Sequence, residues 1–209
     1  MTVEVLGRLE AQRVVPVIRA ADVDDAIATT RACGRAGMSV VELTRTTPDV
    51  ERALDALRQD DLVLGLGTVT RAEQVRAAAA AGARFVVSFA VRDRMIEAAI
   101  GFGLTPIPGA LTPTEILRCR HAGAPAVKIF PARLVEPAYL EDLRSVMPDL
   151  RVLVTGGVAA SADAIRPWLE AGALAVGIGS ALGTAASVGE QEVERRAGTL
   201  LDAVAGAAA

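Results

Sequence analysis

Ala126-Val127-Lys128-Ile129-Phe130-Pro131 is an apolar run of strand length with one cation at its centre. Alternation in a strand puts Ala126, Lys128 and Phe130 on one face and Val127 and Ile129 on the other. A run that is apolar on both faces is covered on both, the pattern of a parallel sheet with helices packed against it. Lys128 is the only lysine in the chain: of 22 Lys plus Arg, the other 21 are arginine. Arginine keeps its charge, whereas a buried lysine can shed a proton and act as an amine nucleophile. An ammonium beside Phe and Ala is poorly hydrated, which favours the neutral amine that a Schiff base requires. The ordinary alternative is a lysine whose stem crosses apolar surface while its head reaches water. The central placing of the one lysine favours the chemical role.

Seven more such runs flank this one. They are Arg13–Arg19, Ser39–Thr44, Leu62–Leu66, Phe85–Ser88, Leu104–Ile107, Arg151–Thr155 and Ala173–Ile178. Ala-rich stretches dotted with Arg and Glu lie between them and read as helices. Asp22 caps one through Arg35, Pro48 opens one to Arg58, and Arg71–Ala81 is stopped by Gly82. Another runs from Arg92 to Ile100. Thr112-Pro113-Thr114-Glu115 is a capping box opening a helix to His121. Pro137 opens one to Val146, Ser161 caps one through Leu169, and the last spans Glu190–Val204, after which the Ala-rich tail frays. Val3–Gln12 reads as a leading helix. Eight strand–helix units at spacings of roughly 20–25 residues predict a (β/α)8 TIM barrel with an N-terminal helix, an α/β fold small for its class. The alternative is an open doubly wound sheet, but its glycine-rich first turn is absent, since that turn reads Ile18-Arg19-Ala20-Ala21. With no linker or composition break, residues 1–209 read as one domain.

Composition narrows the function. Apolar residues make up 52% and aromatics only 3%, so the core must be aliphatic. A net charge of −3 without a basic face argues against nucleic acid. No apolar run approaches the roughly 18 residues of a membrane span, and Met1–Gln12 lacks the pattern of a signal peptide. Cys33 and Cys119 have no metal-type spacing and read as reduced thiols of a cytoplasmic protein. His121, the only histidine, lies at a helix end, which argues against a histidine metal site or triad. Trp168 and Tyr139, on outer helices, read as packing.

In a TIM barrel the reactive groups stand at the carboxyl ends of the strands. Those ends carry Arg19; Glu42, Thr44 and Arg45; Gly67 and Thr68; Ser88; Pro108 and Gly109; Lys128 and Phe130; Thr155, Gly156 and Gly157; and Gly179 and Ser180. In Val40-Val41-Glu42-Leu43-Thr44, alternation turns Glu42 to the interior. A carboxylate there is costly unless paired or protonated, and Lys128 is the available partner. The pair is either a structural ion pair or a proton shuttle beside a Schiff-base lysine, and the second reading is favoured. Arg19 and Thr68 suit a carboxylate, Arg19 by a bidentate fork. Gly156-Gly157 and Gly179-Ser180 follow strands seven and eight, where TIM barrels often bind phosphate through backbone N–H groups. The Thr155 and Ser180 hydroxyls can orient a ligand or simply cap helices.

These residues resemble the 2-keto-3-deoxy-6-phosphogluconate (KDPG) and 4-hydroxy-2-oxoglutarate (KHG) aldolases. The resemblance covers nearly the whole chain. It runs through Val14-Val15-Pro16-Val17-Ile18-Arg19, Val41-Glu42-Leu43-Thr44, Gly65-Leu66-Gly67-Thr68-Val69, Ile107-Pro108-Gly109, Val127-Lys128-Ile129-Phe130-Pro131, Thr155-Gly156-Gly157-Val158 and Gly177-Ile178-Gly179-Ser180. It implies a class I aldolase, independent of metal and cofactor, usually a homotrimer. By the resemblance, Lys128 forms the imine with pyruvate and Glu42 is the general acid/base. Arg19 and Thr68 hold the carboxylate, and Gly156, Gly157, Gly179 and Ser180 hold the phosphate; from their places at the strand ends, Thr44, Pro108, Phe130 and Thr155 are expected to line the pocket. The implied substrate is a small 2-oxo acid, 2-dehydro-3-deoxy-6-phosphogluconate first, with its galactonate epimer and 4-hydroxy-2-oxoglutarate as alternatives. The chain departs from the family at Arg45, where leucine is usual, and at Ser88-Phe89-Ala90, where Ser-Pro is common. From other classes, a phosphosugar isomerase or epimerase and a non-catalytic ligand-binding barrel remain as alternatives.

Overall fold

Strand alternation and helical periodicity produce the expected barrel. The structure is a computed structural model and describes residues 2–205; the tail expected to fray lies, from residue 206 on, outside the described residues. Helix α1 (Thr2–Gln12) leads into β1 (Val14–Ile18), α2 (Val23–Arg35), β2 (Val40–Thr44), α3 (Val50–Ala56), β3 (Val63–Gly67), α4 (Ala72–Ala80), β4 (Phe85–Val87) and α5 (Asp93–Gly101). The second half continues with β5 (Thr105–Ile107), β6 (Gly109–Ala110), α6 (Pro113–His121), β7 (Val127–Ile129) and a 3-10 turn at Ala132–Leu134. It ends with α7 (Pro137–Val146), β8 (Val152–Thr155), α8 (Ala162–Glu170), β9 (Ala175–Ile178), α9 (Ala185–Val188) and α10 (Glu190–Val204).

All strand pairings are parallel, in the order β5-β4-β3-β2-β1-β9-β8-β7-β6. The two ends of that order are successive segments separated only by Pro108. Proline has no N–H for a ladder, so the strand predicted over Leu104–Ile107 ends before it as β5, and the two-residue β6 follows it. The ring of pairing still passes through it. Ser88 N donates to Ile107 O at 3.1 Å on one side, and Lys128 N donates to Pro108 O at 2.8 Å on the other.

The outward faces, including Val41, Leu43, Leu66, Ile129, Val154 and Ile178, pack under the helices in one core. A second core fills the amino-terminal half of the barrel, where Val15, Val40, Phe85 and Leu153 meet Val5 and Leu9 of α1. The leading helix therefore plugs the end opposite the strand tips. Gln12 ties the plug down: its amide donates to Val14 O and Val40 O, each at 2.8 Å, and accepts from Val40 N at 2.8 Å.

Sequence boundaries hold with local corrections. Asp22 accepts from Asp25 N, and Thr112 with Glu115 forms the capping box. Ser161 occupies the N-cap of α8 but makes no side-chain cap bond. Helix α3 starts at Val50 rather than Pro48, because Asp49 sits at φ 47, outside helical backbone. Cys33 and Cys119 are unpaired and buried, and burial pushes both thiols up to about 12. Trp168 is buried in α8, while Tyr139 donates its hydroxyl to Leu111 O at 2.6 Å, so both serve packing. No described helix is long and apolar enough to cross a membrane.

Candidate active site

Strands β2 and β7 bring Glu42 and Lys128 together inside the barrel, although the two residues are 86 positions apart in the chain (128 − 42). Lys128 Nζ stands 4.0 Å from Glu42 Oε1, and both side chains are almost wholly buried. That separation is beyond hydrogen-bonding distance, so the ion pair leaves donor and acceptor capacity on both groups. Glu42 Oε2 and Thr155 Oγ1 have no hydrogen-bond partner among the described residues. Buried polar atoms are normally satisfied, so two orphans in one barrel mark a site that a polar ligand can complete. Lys128 Nζ also lies 5.3 Å from the centroid of the Phe130 ring, within cation–π range.

Bare backbone makes room for this cluster. A Cβ at Gly67 would stand 1.9 Å from Glu42 Oε1, and one at Gly177 would stand 2.6 Å from Thr155 Oγ1. Glycine at these inward positions lets the carboxylate and the hydroxyl lie flat on neighbouring strands. Next to Gly67, Thr68 is held at φ 64. A β-branched residue in the left-handed region costs on the order of 1–2 kcal/mol, and such strain gathers at functional sites. Its neighbours hold it there: Arg45 N donates to Gly67 O, and Val69 N to Val87 O, each at 3.0 Å.

The late glycine motifs form the rim. Gly156 and Gly157 have φ of 100 and 97 and turn the chain after β8. The Phe130 ring lies against Gly156, within 2.9 Å of where its Cβ would be. Arg19 directly follows β1 and lays its guanidinium over Gly179, 2.8 Å from the corresponding point. Arg19, Gly179 and Ser180 line a cavity of about 530 Å³ between β1 and β9, together with Val17 and the start of α9. Asp25 also lines it. Burial alone would raise the Asp25 carboxyl, but hydrogen bonds from the amides of Ala186 and Ala21 hold it below its ordinary value.

Of the residues expected at the site, Lys128 meets Glu42 and Phe130 in the barrel, Thr155 is buried beside Gly177, and Arg19, Gly179 and Ser180 share a cavity. Thr44 is buried and its hydroxyl is 2.6 Å from that of Thr46 at the mouth. Pro108 is buried between β5 and β6, and its carbonyl accepts from Lys128 N. Arg45 turns away to pair with Glu51 of α3. At the other departure, the backbone of Phe89 and Ala90 crosses Gly109, and the Phe89 side chain is left half-exposed. Sequence reasoning missed Arg133, whose stem covers Gly157. No periodic pattern marks a residue in a one-turn connection.

Residues 5–197 match the family model for KDPG and KHG aldolase. The chain belongs to that family. It is therefore an aldolase, a lyase. A 2-dehydro-3-deoxy-6-phosphogalactonate aldolase of Escherichia coli (strain K12) is 35% identical over 187 residues, 88% of each chain. A 2-dehydro-3-deoxy-phosphogluconate aldolase of Treponema pallidum (strain Nichols) is 37% identical over 159 residues, 75% of this chain and 76% of that one. A solved "Native KDPGal structure" superposes with a TM-score of 0.86 at 31% identity, covering 93% of this chain and 95% of that one. The paired lysine and glutamate of this aldolase thus stand at the end of the barrel where its fold places chemistry.

Proposed function

We propose that this aldolase reversibly cleaves 2-dehydro-3-deoxy-6-phosphogluconate to pyruvate and glyceraldehyde 3-phosphate through an imine on Lys128. The observation that carries the reading is the buried contact between the chain's only lysine and Glu42. The neutral amine attacks the C2 ketone, Glu42 gives a proton to the carbinolamine oxygen, and water leaves to give an iminium with Glu42 as the carboxylate. Glu42 takes the C4 hydroxyl proton, directly or through water. The C3–C4 bond then breaks, its electron pair passing into the iminium to give an enamine, and the aldehyde departs. Glu42 returns the proton to C3, and hydrolysis of the imine frees pyruvate and the lysine. Arg19 and Thr68 receive the substrate carboxylate, Thr44, Phe130 and Thr155 shape the pocket, and the two late glycine loops receive the phosphate. Pro108 sets the backbone of the lysine's strand.

Incubation with pyruvate and borohydride, read by intact mass and peptide mapping, tests the proposal. One reduced adduct on Lys128 is the expected result, and its absence from folded protein would remove the imine reading. Lys128→Arg keeps the charge and removes the nucleophile, so turnover should fall by at least about 10³-fold; near-normal activity would sink the mechanism.

The galactonate relative at 35% identity supports a second substrate reading with the same chemistry, the C4 epimer. Comparing kcat/KM for the two epimers and for 4-hydroxy-2-oxoglutarate decides among them. We also read residues 1–209 as one aldolase domain working as a homotrimer in the cytoplasm. The two unpaired cysteines support a reducing compartment. Light scattering should give a mass near three times 21.6 kDa.

A further inference from the structure

We propose that Arg133 grips the distal phosphate of the substrate and thereby sets the enzyme's preference for a phosphorylated sugar acid, an inference that rests on the imine reading of this site. Arg133 lies in the one-turn segment Ala132–Leu134, on the connection that leaves the lysine's own strand. Its backbone is tied to the first late glycine loop, with Arg133 N donating to Gly156 O at 2.9 Å. Its side chain lies along the bare face of the next residue. A Cβ at Gly157 would fall 2.6 Å from Arg133 Cβ, 3.4 Å from Cγ and 3.5 Å from Cδ. The stem is therefore laid over the loop, and only the guanidinium remains at liberty. That head has no hydrogen bond or ion pair among the described residues, whereas Arg45 is tied to Glu51 and Arg118 to Asp93.

The chemistry of the ligand explains why such an arm matters. A phosphate monoester carries a charge of about −1.5 to −2 at neutral pH. The backbone N–H groups of the Gly156-Gly157 and Gly179-Ser180 turns offer dipoles but no positive charge. An arginine fork supplies charge and two parallel donors matched to phosphate oxygens. Because the stem is already seated on Gly157, less side-chain freedom is lost when the head closes on the anion. Arg19 stands over Gly179 on the other glycine loop, so an experiment can separate the two arginines.

The test compares the full chain with Arg133→Gln, Arg133→Lys and Arg19→Gln. Each is assayed with the phosphorylated sugar acid, with its dephosphorylated counterpart, and by adduct yield with pyruvate and borohydride. R133Q should raise KM for the phosphorylated substrate ten-fold or more with kcat within two-fold. It should leave kcat/KM for the dephosphorylated substrate and the adduct yield within two-fold, so the preference shrinks by the rise in KM. R133K should recover part of the loss, since it keeps the charge but not the fork. Equal losses on both substrates, an unchanged preference in R133Q, or a preference lost only in R19Q would each overturn the assignment. A wild-type chain that gives no pyruvate adduct would remove the imine reading itself, and is seen before any variant is compared.

Discussion

A methyl group at position 67 would stand 1.9 Å from Glu42 Oε1. The carboxylate can escape only by leaving the Gly67 face, and it lies 4.0 Å from Lys128 Nζ because that face is bare. Gly67→Ala should therefore act on chemistry through Glu42. We expect kcat to fall by about 10²-fold or more, the range that a positioned acid/base supplies, with the protein still folded by circular dichroism. Unchanged turnover would show that Glu42 works from another position. At this scale the sequence was legible where charge interrupts an apolar alternation. Lys128 and Glu42 stand out because a strand interior tolerates neither without a partner. Gly67 reads only as one more turn glycine, since its closeness to Glu42 depends on the register in which β2 pairs with β3, Thr44 opposite Gly67. Arg133 and Asp25 were hidden for the same reason, each acting on a loop that only the barrel's closure brings near.

Among the elements, α6 carries a pH signature. Glu115 accepts from Leu111 N, Thr112 N and Thr112 Oγ1, each at 2.9 Å. The Leu111 amide first, then the Thr112 hydroxyl and amide, hold its carboxyl below the ordinary glutamate value against partial burial. A group whose pKa is lowered on folding contributes stability in full above its unfolded value, about 4.3, and loses it as pH falls through the folded value. Wild type should therefore exceed Glu115→Gln by roughly 0.5–1 kcal/mol at pH 7, the scale of a helix cap. The gap should narrow as pH falls below about 4. Urea unfolding of both proteins at pH 7, 5 and 3 checks this, and a gap that does not change with pH would refute the linkage. Strong caps such as this one were legible because the motif is local. Weaker elements were not. Helix α9, four residues of Ala-Ala-Ser-Val, has no periodicity to read, and the N–H groups at its start are satisfied by Thr29 and Asp25 of α2, far away in sequence. The split at Pro108 lay in plain sight, but whether a proline ends a strand or merely interrupts its ladder is decided by the neighbours on both sides.

Across the whole molecule, the barrel divides its labour along its axis. The plug formed by α1 meets the amino ends of the strands, while Lys128, Glu42 and the glycine loops occupy the other end. Eight apolar strand–helix units made this architecture readable, since eight such units are the number that closes a barrel. The division implies that stability and catalysis can be changed separately. Leu9 is fully buried in the plug against Val15 and Phe85. Truncating it removes the transfer energy of its methyl groups and leaves a cavity, so Leu9→Ala should cost about 2–5 kcal/mol. At a temperature where the variant is still folded, its kcat and its yield of pyruvate–borohydride adduct should match the wild type. Chemical denaturation together with steady-state kinetics on the same preparations makes the comparison. A variant destabilised to that extent with kinetics intact would bear out the division. A matching fall in kcat would mean that the plug's packing reaches the lysine through the layer at Phe85, and that the two ends of the barrel are coupled.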